Sequence, residues 1–341
     1  MAPRKKASAL IAISMGDPAG IGPEVILKSA QRLARRRDAP GLVVVGDLAA
    51  MAEAARRLRI GIESRRWHRG DPAPRAGSIG VISAVALSAR ARRPGKPSIE
   101  GGDASFRYVV DGATLALAGT VDALVTAPIS KQWWDRAGHR FPGHSELLAR
   151  LGHAPKWRMM FAGDHLKLAL VTVHVGLARV SRLLTQNAVL DTIVLLREHM
   201  RARLGVARPR IGVLGFNPHA GENGLFGSEE IRVIEPAIRA ARRAGIDAFG
   251  PLAPDTAFIR TAGRFRFDAA VAMYHDQGLI ALKTLEFDRA VNVTLGIPFI
   301  RTSPDHGTAF DLAGKGAASP SSMIAAIEYA AAAVRGRKLS K

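Results

Sequence analysis

The sequence predicts an α/β fold divided into two lobes, and three observations support this prediction. Short apolar runs rich in β-branched residues each end at a polar or glycine-containing turn. A helix-like stretch follows each run, and the alternation continues through most of the chain, as expected for a largely parallel sheet covered by helices. With 341 residues, the chain is longer than one compact core usually is, which favours two lobes with a ligand-binding cleft between them.

The individual elements follow from this alternation. Strands are predicted at 9–14, 42–46, 122–126, 166–173, 211–216 and 268–274, and helices at 24–37, 48–58, 104–119, 145–151, 185–204, 228–244 and 321–334. Pro23 suits the first turn of the first helix, and Ser228, followed by two glutamates, suits a capped start of the sixth. The segment 90–102 contains prolines and glycines and is predicted to be a surface loop.

The composition limits the chemistry and the location of the protein. The chain has no cysteine, which excludes disulfides, thiolate nucleophiles and cysteine-bound zinc and fits a reducing, cytoplasmic compartment. The apolar run after the basic N-terminus ends at Asp17, too early for a signal peptide, so it is interpreted as the first strand. No apolar stretch approaches the roughly 18 residues that a membrane-spanning helix needs, so no membrane partner is expected.

The formal net charge of +20 raises the hypothesis of a nucleic-acid or other polyanion partner. The arginines, however, fall mostly in helix-like runs such as 31–37, 55–59 and 201–210, and few aromatic residues are available for base stacking. Solvated helix faces explain such runs better, so no nucleic-acid partner is expected. A positive field would also attract a small anionic substrate.

Three histidines share one structural position. His174, His219 and His275 each come just after a predicted strand, although they are far apart in sequence. Because the carboxyl ends of parallel strands line one crevice, these imidazoles are predicted to converge on a divalent metal. Nitrogen ligands favour transition metals such as zinc or cobalt over magnesium. The alternative is three unrelated histidines, each hydrogen-bonded in its own loop.

A second group of residues suits an anionic substrate. His144 and Ser145 open a predicted helix, whose free N–H groups attract phosphate or carboxylate. Lys283, Asn292 and Arg301 add an ammonium, an amide and a guanidinium, which together match a substrate with phosphate and carboxylate groups. The alternative is that the cations form structural ion pairs with acidic residues close in sequence, namely Asp276, Glu286 and Asp288.

Two glycine-rich segments follow neither common nucleotide-binding pattern. GDPAGIGPE (16–24) follows a strand and opens a helix, but it is neither GxGxxG nor GxxxxGK[ST]. DHGTAFDLAGKG (305–316) also lacks the Rossmann pattern. A nicotinamide nucleotide, if one binds, is therefore expected to be held in another way.

Several blocks in order resemble the 4-hydroxythreonine-4-phosphate dehydrogenase family of vitamin B6 biosynthesis. The blocks are SMGDPAGIGPE, VTAPISK, GHSELLA, VTVHVGL, GFNPHAGENGLFG, APDTAF, MYHDQG and NVTLGIPFIRTSPDHGTAFDLAGKG. HGTAFDLAGKG also resembles the adenosine-binding element of isocitrate and isopropylmalate dehydrogenases. This likeness implies their two-lobed α/β/α architecture, with the active site in the cleft. The first lobe, on the cofactor side, would comprise 8–135 and 296–338, and the second, on the metal and dimerisation side, 136–295.

The resemblance also implies roles for individual residues. His174, His219 and His275 would bind one divalent metal (zinc, cobalt or magnesium), and His144, Ser145, Lys283, Asn292 and Arg301 would contact substrate. The adenosine part of NAD or NADP would lie against His306, Gly307, Thr308 and Ala309. Family members commonly have threonine at the position of Ser145, which keeps the hydroxyl. The family is homodimeric with its active site at the subunit interface, so His275 could come from the neighbouring chain.

The implied reaction is oxidation of 4-phosphooxy-L-threonine at C3 followed by decarboxylation to 3-amino-2-oxopropyl phosphate. Lys283 and Asp276 are the candidate catalytic residues, and the general base is left open among Asp276, Asp255 and a metal-bound water. A related enzyme acting on phosphorylated threonate or erythronate, or on a cis-dihydrodiol carboxylate, is the near alternative. An acyl- or phosphoryl-transfer enzyme would leave the three histidines and the HGTA element unexplained.

Overall fold

The structure is a computed structural model, in which residues 8–83 and 85–336 are described. Its strands are β1 (Leu10–Ser14), β2 (Gly41–Gly46), β3 (Glu63–Arg66), β4 (Ser78–Ser83), β5 (Ala123–Thr126), β6 (Arg158–Ala162), β7 (Lys167–Leu170), β8 (Ile211–Leu214), β9 (Ala248–Leu252), β10 (Ala269–Ala272), β11 (Val291–Leu295) and β12 (Ile300–Pro304). Each of the six predicted strands is present, as β1, β2, β5, β7, β8 and β10, and the predicted α/β class is confirmed.

The α-helices alternate with these strands. They are α1 (Gly22–Leu33), α2 (Leu48–Leu58), α3 (Ile99–Leu117), α4 (Lys131–Arg136), α5 (His144–Leu151), α6 (Leu177–Leu183), α7 (Gln186–Ala202), α8 (Glu235–Arg243), α9 (Pro254–Ala257), α10 (His275–Glu286) and α11 (Ser321–Arg335). Over residues 8–83 and 85–336, no helix combines the length and the apolar character needed to cross a bilayer.

The chain forms two compact units. The described part of unit 1 comprises residues 8–155 and 297–335, and that of unit 2 comprises 156–296 together with Gly336. Residues 136–155, which the sequence analysis assigned to the second lobe, lie in unit 1 because α5 packs against α3. Unit 1 is thus assembled from two stretches of chain, with residues 156–296 of unit 2 between them in sequence.

Unit 1 contains a parallel sheet with the strand order β3-β4-β2-β1-β5-β12. β2 is buried along its whole length, as expected for a central strand with both faces covered. β12 was not predicted, because its sequence IRTSP is polar, yet all five residues are buried. The carboxyl ends of β1, β5 and β12 lie side by side at one edge of this sheet.

Unit 2 contains a mixed sheet with the strand order β11-β6-β7-β10-β8-β9. β11 pairs antiparallel with β6, and β6 pairs antiparallel with β7. The remaining neighbours, β7-β10-β8-β9, are parallel. Because β10 lies between β7 and β8, the carboxyl ends of these three strands are adjacent at one edge.

Two local predictions differ from the structure, and one helix was not predicted. Ser98 caps α3 by accepting a hydrogen bond from Gly101, so the last residues of the predicted loop 90–102 are helical. The sixth helix begins differently from the prediction: Glu229, not Ser228, is the N-cap of a π-helical turn (Glu230–Ile234) that precedes α8. The buried Glu230 carboxylate accepts hydrogen bonds from backbone amides. Residues 275–286 lie among strand-like sequence but form α10, since a polar face alternates there with Leu279 and Leu282 in the core.

Candidate functional site

The three histidines of unit 2 follow three neighbouring strands. His174 comes four residues after the end of β7, His219 five after β8 and His275 three after β10. The strand order β7-β10-β8 places the chain segments that carry them at the same edge of the sheet. The predicted common position of these histidines, beyond the carboxyl ends of parallel strands, is therefore confirmed.

Side-chain hydrogen bonds join the segments that carry the histidines. The Thr172 hydroxyl donates to the carbonyl of Met273 (2.8 Å), which connects the end of β7 to the end of β10. The Gln277 amide donates to the carbonyl of Gly215 (2.7 Å), which connects α10 to the end of β8. Gln277 also accepts from the Met273 backbone N–H (2.7 Å). These bonds hold the three segments in a fixed arrangement.

The imidazoles of His174 and His275 lie close together, with ring centroids 5.8 Å apart. Nδ1 of His275 is 2.7 Å from Oδ1 of the exposed Asp276, which leaves Nε2 as the nitrogen for a ligand. His219 lies instead against Phe226, with ring centroids 6.0 Å apart. Within residues 8–83 and 85–336, no three histidine, aspartate or glutamate side chains are arranged to hold a metal together. The single chain thus brings together two of the three predicted ligands.

The backbone at two of these histidines has an unusual conformation. His174 has φ +49° and His219 has φ +51°, in the left-handed region that side chains with a Cβ rarely adopt. Left-handed backbone at a non-glycine residue costs on the order of 1 kcal/mol and is concentrated at functional sites. Both positions are therefore candidates for residues retained for their side-chain chemistry.

The two other predicted site residues of unit 2 lie on different elements. Lys283 is half-buried on α10, with its ammonium 5.9 Å from the centroid of the Phe287 ring. Asn292 is on β11, opposite Phe161 of β6. Glu286, one of the structural ion-pair partners considered for the cations, accepts hydrogen bonds from the backbone N–H groups of His165 and Leu166.

In unit 1, Arg301 is a fully buried cation. It is only 2% exposed, at the second position of β12, where it pairs in register with Leu124 of β5. Its Nε and Nη2 atoms donate to the Thr126 hydroxyl at 3.2 and 2.7 Å. Burial lowers the pKa of Arg301 to about 9, an effect that the negative charge of Glu146 opposes. An anionic group beside this guanidinium would be strongly favoured, because burial has removed the water that otherwise stabilises the charge.

His144 and Ser145 are the first residues of α5. The His144 ring lies edge-on to Trp134, and its buried Nε2 has no hydrogen-bond partner among the described residues. Burial, and then the positive charges of Arg301 and Lys131, hold the pKa of His144 well below its usual value, so the imidazole is neutral near pH 7. A neutral ring with an unused buried nitrogen is suited to a hydrogen bond with a polar ligand.

The predicted cofactor residues form a turn after β12. The Ile21 backbone N–H donates to the carbonyl of Thr308 (2.9 Å), so the turn lies against the start of α1. Nδ1 of His306 is 3.1 Å from the carbonyl of Gly307, while its buried Nε2 has no partner within the described ranges. Burial lowers the pKa of His306, which keeps this ring neutral as well. Ala309 has φ +39°.

The sequence model of the family described as "Pyridoxal phosphate biosynthetic protein PdxA" matches residues 38–330 of this chain. The chain belongs to the PdxA family. A 4-hydroxythreonine-4-phosphate dehydrogenase of Geobacter metallireducens is 48% identical over 332 residues, which cover 95% of each chain. A D-threonate 4-phosphate dehydrogenase of Salmonella typhimurium is 45% identical over 322 residues, covering 94% of this chain and 97% of the relative. Membership of the family identifies the protein as a dehydrogenase.

A solved structure of a PdxA protein agrees with the fold described above. The crystal structure of 4-hydroxythreonine-4-phosphate dehydrogenase from Klebsiella pneumoniae matches with a TM-score of 0.83 and 42% sequence identity. The match covers 95% of this chain and 100% of that chain. The predicted family and its α/β fold are thus confirmed over nearly the full length.

Two residues that position the candidate site residues were not predicted. Thr126 follows an apolar strand and was interpreted only as its end, yet it accepts two hydrogen bonds from Arg301. Glu230 was assigned to a helix start, but it is buried and accepts hydrogen bonds from the N–H groups of Phe216 and Asn217. Their roles depend on contacts between distant residues, which local patterns in the sequence do not reveal.

Proposed function

We propose that this protein catalyses the NAD-dependent oxidation of 4-phosphooxy-L-threonine at C3, followed by decarboxylation to 3-amino-2-oxopropyl phosphate in pyridoxal 5'-phosphate biosynthesis. The observation that carries the proposal is the adjacent pair of imidazoles, His174 and His275, at the edge of the unit 2 sheet in a chain of the PdxA family. In this proposal, unit 2 supplies the metal ligands and unit 1 supplies the cofactor turn.

The imidazoles of unit 2 suit a divalent metal. The spacing of His174 and His275 is compatible with two nitrogens reaching one ion at about 2 Å, and the Asp276 carboxylate orients the His275 ring. His219 is the third ligand in this proposal. A bound divalent cation would lower the pKa of a substrate hydroxyl and stabilise negative charge developing on its oxygen.

Each unit, taken by itself, carries polar residues that suit charged groups of a substrate. In unit 1, Arg301 offers a buried guanidinium, with the neutral His144 and the Ser145 hydroxyl at the start of α5. In unit 2, Lys283 offers an ammonium and Asn292 an amide. We assign these groups to the phosphate and carboxylate of the substrate. The cofactor, NAD or NADP, is assigned to the turn formed by residues 306–309.

The reaction balances as an oxidation followed by loss of carbon dioxide. The C3–H bond breaks with its electron pair moving to NAD, the C3 hydroxyl releases its proton, and a ketone forms. The C1–C2 bond then breaks, carbon dioxide leaves, and a proton is added at C2. Lys283 is assigned to stabilising the negative charge on the C3 oxygen during this second step. Asp276 is assigned to orienting His275, since the Asp276 carboxylate is hydrogen-bonded to the His275 ring.

We also propose a homodimer. Several large apolar side chains of unit 2 are exposed, including Leu225 and Phe226 beyond His219 and Ile280 and Phe287 on and after α10. Exposed apolar groups of this kind are typical of a surface covered by another chain. A site completed by a second subunit also agrees with the presence of only two adjacent histidines in the described part of one chain.

The name of the Salmonella typhimurium relative favours a second candidate substrate, D-threonate 4-phosphate. This compound carries a hydroxyl at C2, where 4-phosphooxy-L-threonine carries an amino group. The phosphate and carboxylate contacts proposed above serve both compounds equally. Comparing kcat/KM for the two substrates separates the candidates. The value for the preferred substrate should be at least about tenfold higher, a difference of ~1.4 kcal/mol.

The test of the proposed function uses purified protein with a divalent metal, NAD and each substrate in turn. We expect NADH and carbon dioxide to form in equal amounts, and His174→Ala to lose both activity and bound metal while remaining folded. The absence of NADH or NADPH formation with every phosphorylated substrate, at saturating metal and NAD or NADP, would overturn the proposal.

A further inference from the structure

The turn GDPAGIGPE and the first turns of α1 have no assigned role in the proposed function. They lie in unit 1 and contact the segment 305–318, which contains the proposed cofactor turn and the glycines that follow it. Glu24, in the first turn of α1, is 2% exposed although it is an acidic residue. A buried carboxylate requires compensating partners, and those of Glu24 are informative.

Glu24 and Lys28 together bind the backbone of residues 316–318. Oε2 of Glu24 accepts from the N–H of Gly316 (3.3 Å), and Oε1 accepts from the N–H of Ala318 (2.9 Å). Nζ of Lys28 donates to the carbonyls of the same two residues, at 2.7 Å each. Nζ also donates to Oε1 of Glu24 at 2.7 Å. The pair therefore satisfies the donors and the acceptors of one short stretch of backbone.

Nearer its start, segment 305–318 is hydrogen-bonded to the residues just before α1. The Ile21 N–H donates to the carbonyl of Thr308, and Gly20 lies so close that a Cβ there would be 3.0 Å from that oxygen. Between these two attachments, the Leu312 N–H donates to Ala309 and the Lys315 N–H donates to Leu312. The proposed cofactor turn is thus held at Thr308 and again at 316–318 by a single helix start.

In this ion pair the Glu24 carboxylate is buried, whereas the Lys28 side chain is 22% exposed. Such a pair contributes little net stability on average, because desolvation of the charges offsets their attraction. Hydrogen bonds from such a pair to backbone groups nevertheless fix geometry well, since each charged atom strengthens every bond that it makes. The arrangement is therefore better suited to holding one conformation of a binding segment than to stabilising the fold. A binding segment that is already ordered loses less conformational entropy when its ligand binds.

We propose that Glu24 and Lys28 are positioning residues that hold segment 305–318 in the conformation that binds the adenosine part of NAD. The inference rests on the proposed NAD-dependent function and adds to it the role of the GDPAGIGPE turn and the start of α1. Neither residue is assigned a contact with the cofactor or with the reacting atoms. Their effect acts through the backbone of Thr308, Gly316 and Ala318.

The experiment compares three variants by isothermal titration with NAD alone, in the absence of substrate. Lys28→Met keeps the aliphatic stem but removes the ammonium, and it should weaken NAD binding about tenfold, or ~1.4 kcal/mol. Lys28→Arg should restore most of the affinity. Arg107→Met removes another i,i+4 ion pair of unit 1, with Asp103 (2.9 Å), that has no bond to segment 305–318, and it should leave NAD affinity unchanged.

A double variant separates positioning from general stability. Lys28→Met alone leaves a buried carboxylate without its cation and should lower Tm, whereas Glu24→Gln with Lys28→Met removes both charges and should recover part of that loss. If the pair positions the segment, the double variant still binds NAD about tenfold more weakly, while metal content and the KM for the phosphorylated substrate stay at wild-type values.

The outcomes distinguish this inference from the function on which it rests. Wild-type protein that binds neither NAD nor NADP overturns the proposed function and the inference together. If Lys28→Met and the double variant bind NAD as tightly as the wild type does, the inference alone is overturned. The inference is also overturned if the double variant regains NAD affinity to the same extent as it regains Tm. The pair would then act only on stability.

Discussion

At the scale of single residues, Asp17 is a buried carboxyl with one unused oxygen. It follows β1, its Oδ1 accepts from the Ala19 N–H (3.0 Å), and its Oδ2 has no partner among the described residues. Burial raises the pKa of Asp17 from 3.8 to about 6, while the bond from Ala19 opposes this rise. The folded protein thus holds the Asp17 proton more tightly than the unfolded chain does. Once the carboxylate forms, its desolvation destabilises the folded state.

The sign of this shift gives a prediction. A raised pKa in the folded state contributes stability below pH 3.8, and that stability is lost as the pH rises through about 6. Asp17→Asn keeps the acceptor for Ala19 and removes the charge, so it should increase the free energy of unfolding at pH 8 by about 3 kcal/mol. Urea denaturation at pH 8 and pH 4 tests this. A gain of equal size at both pH values would contradict a titration origin.

The left-handed backbone of His174 leads to a second prediction. Glycine adopts φ +49° without strain, whereas alanine does not, so His174→Gly should be more stable than His174→Ala by about 1 kcal/mol. Both variants should lose bound metal equally. Thermal unfolding and metal analysis of the metal-free and metal-loaded proteins measure the two effects. Equal stability of the two variants would show that the backbone at this position is not strained.

At the scale of elements, the strand ends were predictable and the connections between them were not. The apolar strands and the histidines beyond them are visible in the sequence, because burial on both faces produces continuous apolar runs. β12 was missed because its polar residues are buried among partners such as Thr126, and α10 was missed because its start lies beside a strand. The pairing of His174 with His275 required the strand order, which the sequence does not encode locally.

Glu230 connects the π-helical turn before α8 to the loop that carries His219. Its Oε1 accepts from the N–H groups of Phe216 and Asn217 (2.7 Å each), and its Oε2 accepts from the Asn217 amide (2.9 Å). Glu230→Gln places an NH₂ group against these donors, so the loop should loosen and metal affinity should fall about tenfold, with a smaller loss of stability. Titration of the metal-free protein with zinc measures this.

Glu235→Gln is a matched control for that prediction. Glu235 begins α8 and pairs with the exposed Arg239 (3.2 Å), without a bond to the loop. Its substitution should leave zinc affinity unchanged. If both variants bind zinc like the wild type, the conformation of the His219 loop does not depend on Glu230.

At the scale of the whole molecule, the exposed apolar residues of unit 2 give a prediction about assembly. Ile280 on α10 is 67% exposed, and an aspartate there should disrupt a dimer formed through this surface. Because the proposed metal site is completed by the second subunit, Ile280→Asp should also lower metal content. Ile99→Asp, at a 58% exposed isoleucine of unit 1, is the control. A wild-type protein that sediments as a monomer would reject the prediction.

The two-part construction of unit 1 has a consequence for synthesis on the ribosome. β5 is complete at residue 126, but its neighbour β12 begins only at residue 300, after residues 156–296 of unit 2 have been made. At an elongation rate of ~20 residues per second, the nascent unit 1 sheet keeps an open edge for roughly ten seconds. The guanidinium of Arg301 reaches Thr126 only at the end of that interval, so the edge of β5 is exposed to aggregation until then.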